Sequence, residues 1–486
     1  MTFNILNIQK FFLPIQRHEW QKFLPMALMM FFIIFTLAIL RTTKETLVIN
    51  SVGSGVEIIS FIKTYCVIPA SLGYMIFYVV LSNFLSQRTL FYITLTPFFL
   101  FFLSYGFFIH PNLESWHLSS EKTLFFQESY PALKWFIILL GNWGYTLFFV
   151  VSELWSAAVL SLMFWQFAND ITSSEEAKRF YGLFGLIGNF GLIAGGVVIV
   201  FCSHHILGLD KITSWGQNIK MLTFIASLSV ASIILLYYWM TSIKGFKRNT
   251  PLQNPTSAKI KAPKLSWREQ IMYVAKSKHL QYLIIIVVAY FLSMNFCEAI
   301  FKDRVLDAFP ENHDYNSFMG RLQIMVGVVS IILTFFGSAF LRFFSWRIGA
   351  LITPLVLLIS SSIFLGVIIF THKISTFMGL DLSVMIVWLG LGQSIMMRAT
   401  KYSLFDPTRE MVYIPLDKEL RTKGKACVDL LGGRLGKGGG AWIQSLIFIF
   451  TGLGFEALTP AFLIAIWGIL IIWFIAIQRL SRIHQA

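Results

Sequence analysis

Charge is scarce in this chain. Asp, Glu, Lys and Arg make up 13% of its 486 residues, where soluble domains carry roughly 25%. Acidic residues are the scarcer sign, 24 against 39 basic ones, for a formal net charge of +15. Cysteine is nearly absent. Cys66, Cys202, Cys297 and Cys427 lie in or beside apolar stretches and make no CxxC pair. That excludes a disulfide framework and a zinc site, and leaves four free packing thiols. No protein-bound cofactor or metal is expected. The start shows neither a cleavable signal pattern nor a long Ser- and Arg-rich transit segment. The nine histidines are scattered, without an H-x4-D or HExxH motif. No catalytic residue is assigned, and an integral-membrane transferase is a remote alternative.

Apolar residues dominate instead. They form 56% of the chain, with 49 Phe, and the mean hydropathy is +0.70. One soluble core cannot hide that much, so a soluble enzyme, a disordered chain and a fibrous one are excluded. The apolar runs are continuous over about 20 residues, the length a helix needs to cross a hydrocarbon layer about 30 Å thick. Barrel strands would alternate over about 10 residues instead. The fold class is an all-α membrane protein with about twelve spanning helices. Their expected ranges are 23–47, 61–86, 89–110, 134–167, 180–203 and 219–242, then 280–301, 319–343, 349–371, 380–402, 424–452 and 459–478. The 134–167 run exceeds one bilayer, which predicts a tilted or projecting helix. Residues 3–22 read as a short interfacial helix.

Loop charge sets the orientation. The segment after the sixth helix holds nine Lys and Arg between Lys244 and Lys278 and one acid, Glu269. A soluble basic face would point to nucleic acid, but a basic loop between spans is better explained as cytoplasmic. An even helix count then places both termini in the cytoplasm, in agreement with Lys10, Arg17 and Lys22 at the start and Arg479 and Arg482 at the end. The 111–133 loop, with Glu114, Glu121 and Glu128 against Lys122, is expected outside.

The chain divides into a cytoplasmic segment (1–22), a six-helix half (23–242), a basic cytoplasmic linker (243–278), a second six-helix half (279–478) and a tail (479–486). The halves echo each other. Gly188–Gly191 and Gly433–Gly436 share a G-x-x-G spacing 245 residues apart, and the same offset sets Lys178 against Lys423. Two parallel halves joined by a cytoplasmic loop is a major-facilitator-like organisation.

Charges inside the spans carry the functional signal, because an ionised side chain at a helix centre costs about 2.5–3.5 kcal/mol on insertion scales. Arg41 and Lys44 stand near the external end of the first helix, in LRTTKETLVI. They either snorkel to the interface or face a cavity as anion-binding cations. Glu153 interrupts the fourth helix in FFVVSELWSAAV, as a buried satisfied carboxylate, a proton site or a partner for a cavity lysine. Asn295 and Glu298 share a face of the seventh helix. Glu298 either pairs locally with Lys302 or reads a polar substrate together with Asn295. Arg398 is the better cavity candidate in SIMMRATKYS, with Lys401 reaching the cytoplasmic interface. Lys437 follows the glycines of GGRLGKGGGAW, which serve either tight helix packing or close approach of a ligand. A Walker A motif is excluded, since Leu431 and Gly438 replace the required Gly and Ser or Thr. Arg41, Lys44, Arg398, Arg434 and Lys437 outnumber Glu153 and Glu298, and such an excess suits a polyanion, because Lys and Arg are the usual phosphate partners.

Four stretches make a resemblance specific: LRTTKETLVI, ELWSAAVLSLMFWQFANDITSSEEAKRFYGLFG, NFCEAIFK, and KYSLFDPTREMVYIPLDKELRTKGKACVDLLGGRLGKGGG. The chain resembles, from about Phe23 to Ile475, the nucleotide transporter family, the ATP/ADP translocases of obligate intracellular bacteria and of plastids. The resemblance implies a major-facilitator-like fold with alternating access. It implies exchange of host ATP for ADP with phosphate. A bacterial inner membrane is expected rather than a plastid envelope, because no transit segment is present, and the fold needs only a monomer. The expected partners are ATP, ADP, phosphate and the lipid bilayer, with no nucleic acid. Proton-coupled import of several nucleoside triphosphates, or carriage of NAD, is the alternative within the family. Four family transport residues match Lys44, Glu153, Glu298 and Lys437. Two positions depart from the family pattern. Glu45 stands where Asp is frequent, and Gly438 where Ser is frequent, removing a hydroxyl that would meet phosphate.

Overall fold

A computed structural model describes residues 15–485 except 206–210, 243–276, 344, 380, 414–427 and 429–431. The described residues build twelve long helices. The first half holds α1 (Trp20–Ile49), α2 (Ile58–Phe84), α3 (Gln87–Trp116), α4 (Trp143–Ile171), α5 (Ser174–His205) and α6 (Lys211–Ser242). The second holds α7 (Lys278–Ala308), α8 (Asn312–Phe343), α9 (Trp346–Ile369), α10 (Ser383–Thr400), α11 (Gly433–Thr451) and α12 (Phe455–Gln485). Ten of them are long and apolar enough to cross a membrane. The other two, α10 and α11, are helical but more polar. Arg398 lies in one, and Arg434, Lys437 and five glycines lie in the other. A helix that lines a polar interior need not be apolar on every face.

Several expected boundaries move. The 134–167 run is not one tilted helix. A short helix, Lys134–Gly141, stops at Asn142, and α4 begins afresh at Trp143. The 111–133 loop is largely helical, since α3 runs on to Trp116 and Ser120–Ser129 forms its own helix. The expected interfacial helix at 3–22 falls mostly outside the described residues, apart from a 3-10 turn at Arg17–Glu19 that leads into α1. The linker is outside them from 243 to 276, as are Lys423 and Cys427. Cys66, Cys202 and Cys297 are free thiols.

The described residues form two large apolar clusters. One runs from Phe23 to Met240 through Trp155 and Phe184. The other fills the second half around Tyr290, Phe364 and Trp473, and continues onto Val48, Ile58, Phe61, Leu139 and Phe149 of the first half. Of the echoing glycines, Gly188 and Gly191 seat α5 on Met30, Phe31 and Ile34 of α1, and Gly436 seats α11 on Phe291 of α7, next to Gly432 on Val287. In each group of six helices the fifth lies on the first.

The halves are pinned at the end remote from the linker. There Asn50 donates to Asn312 at 2.6 Å, Asn316 to Ser203 at 3.1 Å and Ser60 to Gln444 at 2.8 Å. Ser317 and Ser214 meet His204 and His313, each at 2.9 Å. About two turns in from that end, α5 and α8 approach so closely that a Cβ on Gly196 would stand 2.6 Å from the Gly320 carbonyl oxygen. At the other end, described polar contacts include Lys22 with Glu176 at 2.7 Å, Tyr78 with Gln166 at 2.8 Å, and Trp346 with the Thr408 carbonyl at 2.9 Å.

Candidate functional site

The charged residues picked from membrane cost converge near the pinned end. Lys44 is buried, forms an ion pair with Glu153, and lies 4.4 Å from the centre of the Phe149 ring. Snorkelling is therefore not its role. Glu153 sits one turn before the widened π-helical stretch Ser156–Phe164 of α4, a distortion frequent at functional sites.

Glu298 is the hub. Its Oε1 lies 2.8 Å from Lys302, 3.1 Å from Arg41 and 3.2 Å from Arg398. The local pair with Lys302, expected as one alternative, is present, but it is one spoke of three. The Arg398 contact is one of charge, since its Nη2 makes no aligned hydrogen bond. Lys302 also reaches Glu45 at 2.8 Å, and both of those side chains are buried. Arg41 and Glu45 belong to the first half and Glu298, Lys302 and Arg398 to the second, so the network joins them. Each ion loses several kcal/mol of hydration on burial, and the mutual pairing offsets that loss only while the halves stay together at this end.

Lys437 is exposed, stacked 5.0 Å from the centre of the Phe291 ring. No described carboxylate pairs with it, although Glu153 and Arg41 are among its electrostatic neighbours. Asn295 is placed otherwise than a free reader of a base. Its amide donates to the carbonyls of Phe291 at 2.9 Å and of Gly436 and Lys437 at 3.3 Å each, tying α7 to α11. Lys401 pairs with Asp406 at 2.7 Å, away from the hub.

Three charged residues escaped the sequence argument as site members: Glu45, Lys63 and Lys302. Glu45 was masked by its neighbour Lys44, and Lys302 was read only as a local partner. Lys63 lies near the start of the second apolar run, where a cation reads as interfacial. It lines a cavity with Ser60, Asn295, Glu298, Lys302 and Gln444. Among the described residues no three His, Cys, Asp or Glu side chains group as a metal site.

The twelve long helices of the described residues define a class by fold, a major-facilitator-like membrane protein. In solved structures the chain is similar to a bacterial homologue of the iron transporter ferroportin in its inward-facing state, with a TM-score of 0.57 and 10% identity over 95% of this chain and all of that one. It is also similar to the inward-open xylose transporter XylE of E. coli, with a TM-score of 0.54 and 14% identity over 95% of each chain. These likenesses concern fold alone. The family is more specific, because the model of the TLC ATP/ADP transporter family matches residues 2–484, and the chain belongs to that family. Relatives include ADP,ATP carrier protein 1 of Rickettsia bellii, 38% identical over 99% of this chain and 97% of that protein. The protein of the same name from Chlamydia pneumoniae is 36% identical over 99% and 94%. ADP,ATP carrier protein 3 of Rickettsia bellii is 40% identical over 91% and 90%. The chain is a multi-pass membrane transporter and not an enzyme.

Proposed function

We propose that this transporter exchanges ATP for ADP, with phosphate moving alongside ADP, and so imports host ATP across the inner membrane of an intracellular bacterium. Both termini and the basic linker face the cytoplasm in this reading, and the working unit is a monomer. The observation that carries it is the excess of cations in the charged interior, shared between the two halves. Lys44 of the first half is held in reserve by Glu153, and Lys437 of the second is unpaired.

Alternating access follows from that arrangement. Nucleotide phosphates, each bringing roughly one to two negative charges, draw Lys44 away from Glu153 and meet Lys437 across the seam. Glu298 exchanges partners as Arg41 leaves it. An empty site keeps unneutralised cations and resists occlusion, so the return step needs a second nucleotide. ATP against ADP alone moves about one net charge, coupled to the membrane potential at about 2.3 kcal/mol per 100 mV. Phosphate moving with ADP removes most of that coupling.

The test is uptake of labelled ATP into proteoliposomes, with and without internal ADP and a protonophore, against competing nucleotides. Stimulation by internal ADP, indifference to the protonophore and competition limited to ATP and ADP establish the exchanger. Uptake that ignores internal ADP, collapses with the protonophore and accepts other triphosphates overturns it in favour of a proton-coupled importer.

A further inference from the structure

Lys63 has a setting that the rest of the network does not explain. Arg41, Lys44, Lys302 and Arg398 each lie within ion-pair distance of a carboxylate. No described carboxylate lies within that distance of Lys63, although Glu298 lines the same cavity together with Asn295 and Lys302. Six cations thus stand near three carboxylates, Glu45, Glu153 and Glu298, and Lys63 and Lys437 are the two without a carboxylate partner.

Those two share one seam. Ser60 of α2 donates to Gln444 of α11, and further along Ile68 approaches Gly438, where an added Cβ would lie 3.0 Å from the Ile68 Cδ1. Lys63 stands between these contacts on α2, and Lys437 adjoins the second on α11. Asn295 borders the Lys63 cavity and donates to the Lys437 carbonyl at 3.3 Å. The backbone around Lys63 is itself distorted, since Ile62–Val67 is a π-helical stretch in an otherwise α-helical span. Such a widened turn is frequent at functional sites.

We infer that Lys63 is a substrate-binding residue that meets the phosphate chain of the transported nucleotide from the first half, opposite Lys437 on the second. The inference rests on the nucleotide-transport reading and deepens it. A diphosphate or triphosphate carries on the order of three to four negative charges, and the excess of three cations in the network matches that charge only when Lys63 is counted. The paired Lys44 has to leave Glu153 before it can bind, whereas Lys63 and Lys437 need break no ion pair. They make the first contacts, and Lys44 joins as the substrate is occluded.

The experiment uses the full-length purified protein and inorganic tripolyphosphate as the probe, which carries the charge of the phosphate chain without a base. Binding is measured for the wild type, Lys63→Gln and Lys63→Arg. In parallel, amine-reactive labelling of the unmutated protein is read residue by residue with and without tripolyphosphate. The expected result is an about tenfold weaker Kd for Lys63→Gln, the scale of one charge-assisted hydrogen bond, near-normal binding by Lys63→Arg, and protection of Lys63 and Lys437 together. Adenine nucleotides add a signature that a merely structural lysine would not produce. The loss in Lys63→Gln grows from AMP to ADP to ATP. Unchanged tripolyphosphate binding, an equal loss for all three nucleotides, or labelling of Lys63 that tripolyphosphate leaves unaltered overturns the inference. Wild-type exchange in proteoliposomes separates the two layers. Exchange without a Lys63 effect sinks this assignment alone, and a Lys63 effect on tripolyphosphate without exchange sinks the exchange reading alone.

Discussion

Lys302 of the second half and Glu45 of the first form a 2.8 Å ion pair across the seam, and both side chains are buried. The pair is remote from solvent only while the end beyond it stays closed. Its expected role is a latch on the access state, which the following variants test. Lys302→Met leaves Glu45 without a partner, at a cost of about 3–5 kcal/mol. Glu45→Gln leaves Lys302 on Glu298 and costs less. Cysteines placed at Asn50 and Asn312, whose side chains touch at 2.6 Å, report the state. Cross-linking falls in Lys302→Met and recovers in part in the double variant Glu45→Gln/Lys302→Met. Equal cross-linking in all three would remove the latch.

Glu153 pairs with Lys44, and under the proposed exchange it holds Lys44 until substrate arrives, so its loss is expected to separate binding from movement. Glu153→Gln frees Lys44 for phosphate. Nucleotide affinity is kept or tightened, while the exchange rate falls by about tenfold or more, because a tighter ground state and a lost return partner act on turnover. Binding and single-turnover exchange on the same preparation check this. A Kd that weakens in step with the rate contradicts it.

Helix contact between the halves depends on backbone approach at Gly196. Its Cβ would lie 2.6 Å from the Gly320 carbonyl and 2.7 Å from the Ile324 Cγ1. Gly196→Ala forces α5 and α8 apart, with an overpacking cost of about 1–3 kcal/mol, and it lowers Tm and the Asn50–Asn312 cross-link together. Gly468→Ala is the control. It lies on α12 with nothing within 4 Å of an added Cβ, and it leaves both measurements unchanged or raises Tm slightly.

Asn295 separates a structural tie from a base reader. Its amide donates to the Gly436 and Lys437 carbonyls, so Asn295→Ala loosens α7 from α11 and displaces Lys437. Tm drops, and the affinities for ATP and GTP weaken by the same factor. A change in ATP preference over GTP at constant Tm would instead make Asn295 the reader.

How legible the site was depended on what each residue's neighbours in sequence could say. Lys44, Glu153, Glu298 and Lys437 stood out because each interrupts an apolar run, and insertion cost needs no knowledge of packing. Lys63 also interrupts an apolar run, but only three residues from its start, where a cation reads as interfacial. Lys302 was visible only as an i+4 partner of Glu298, because its contact with Glu45 joins residues 257 positions apart. The break at Asn142 was hidden for a related reason. An apolar run shows that residues prefer lipid, but not where the helix axis turns.

The amino-acid order by itself determined the class. Continuous apolar runs require helices that span a membrane, the basic linker separates two groups of six, and the long motif-bearing stretches carry the family resemblance. Tertiary structure alone decided which charges neutralise which. Lys44 goes to Glu153, three cations share Glu298, and Lys63 and Lys437 are left without a carboxylate. The physical reason is that burial of a charge is a local cost readable along the chain, whereas its compensation comes from distant helices and exists only in the arrangement that brings them together.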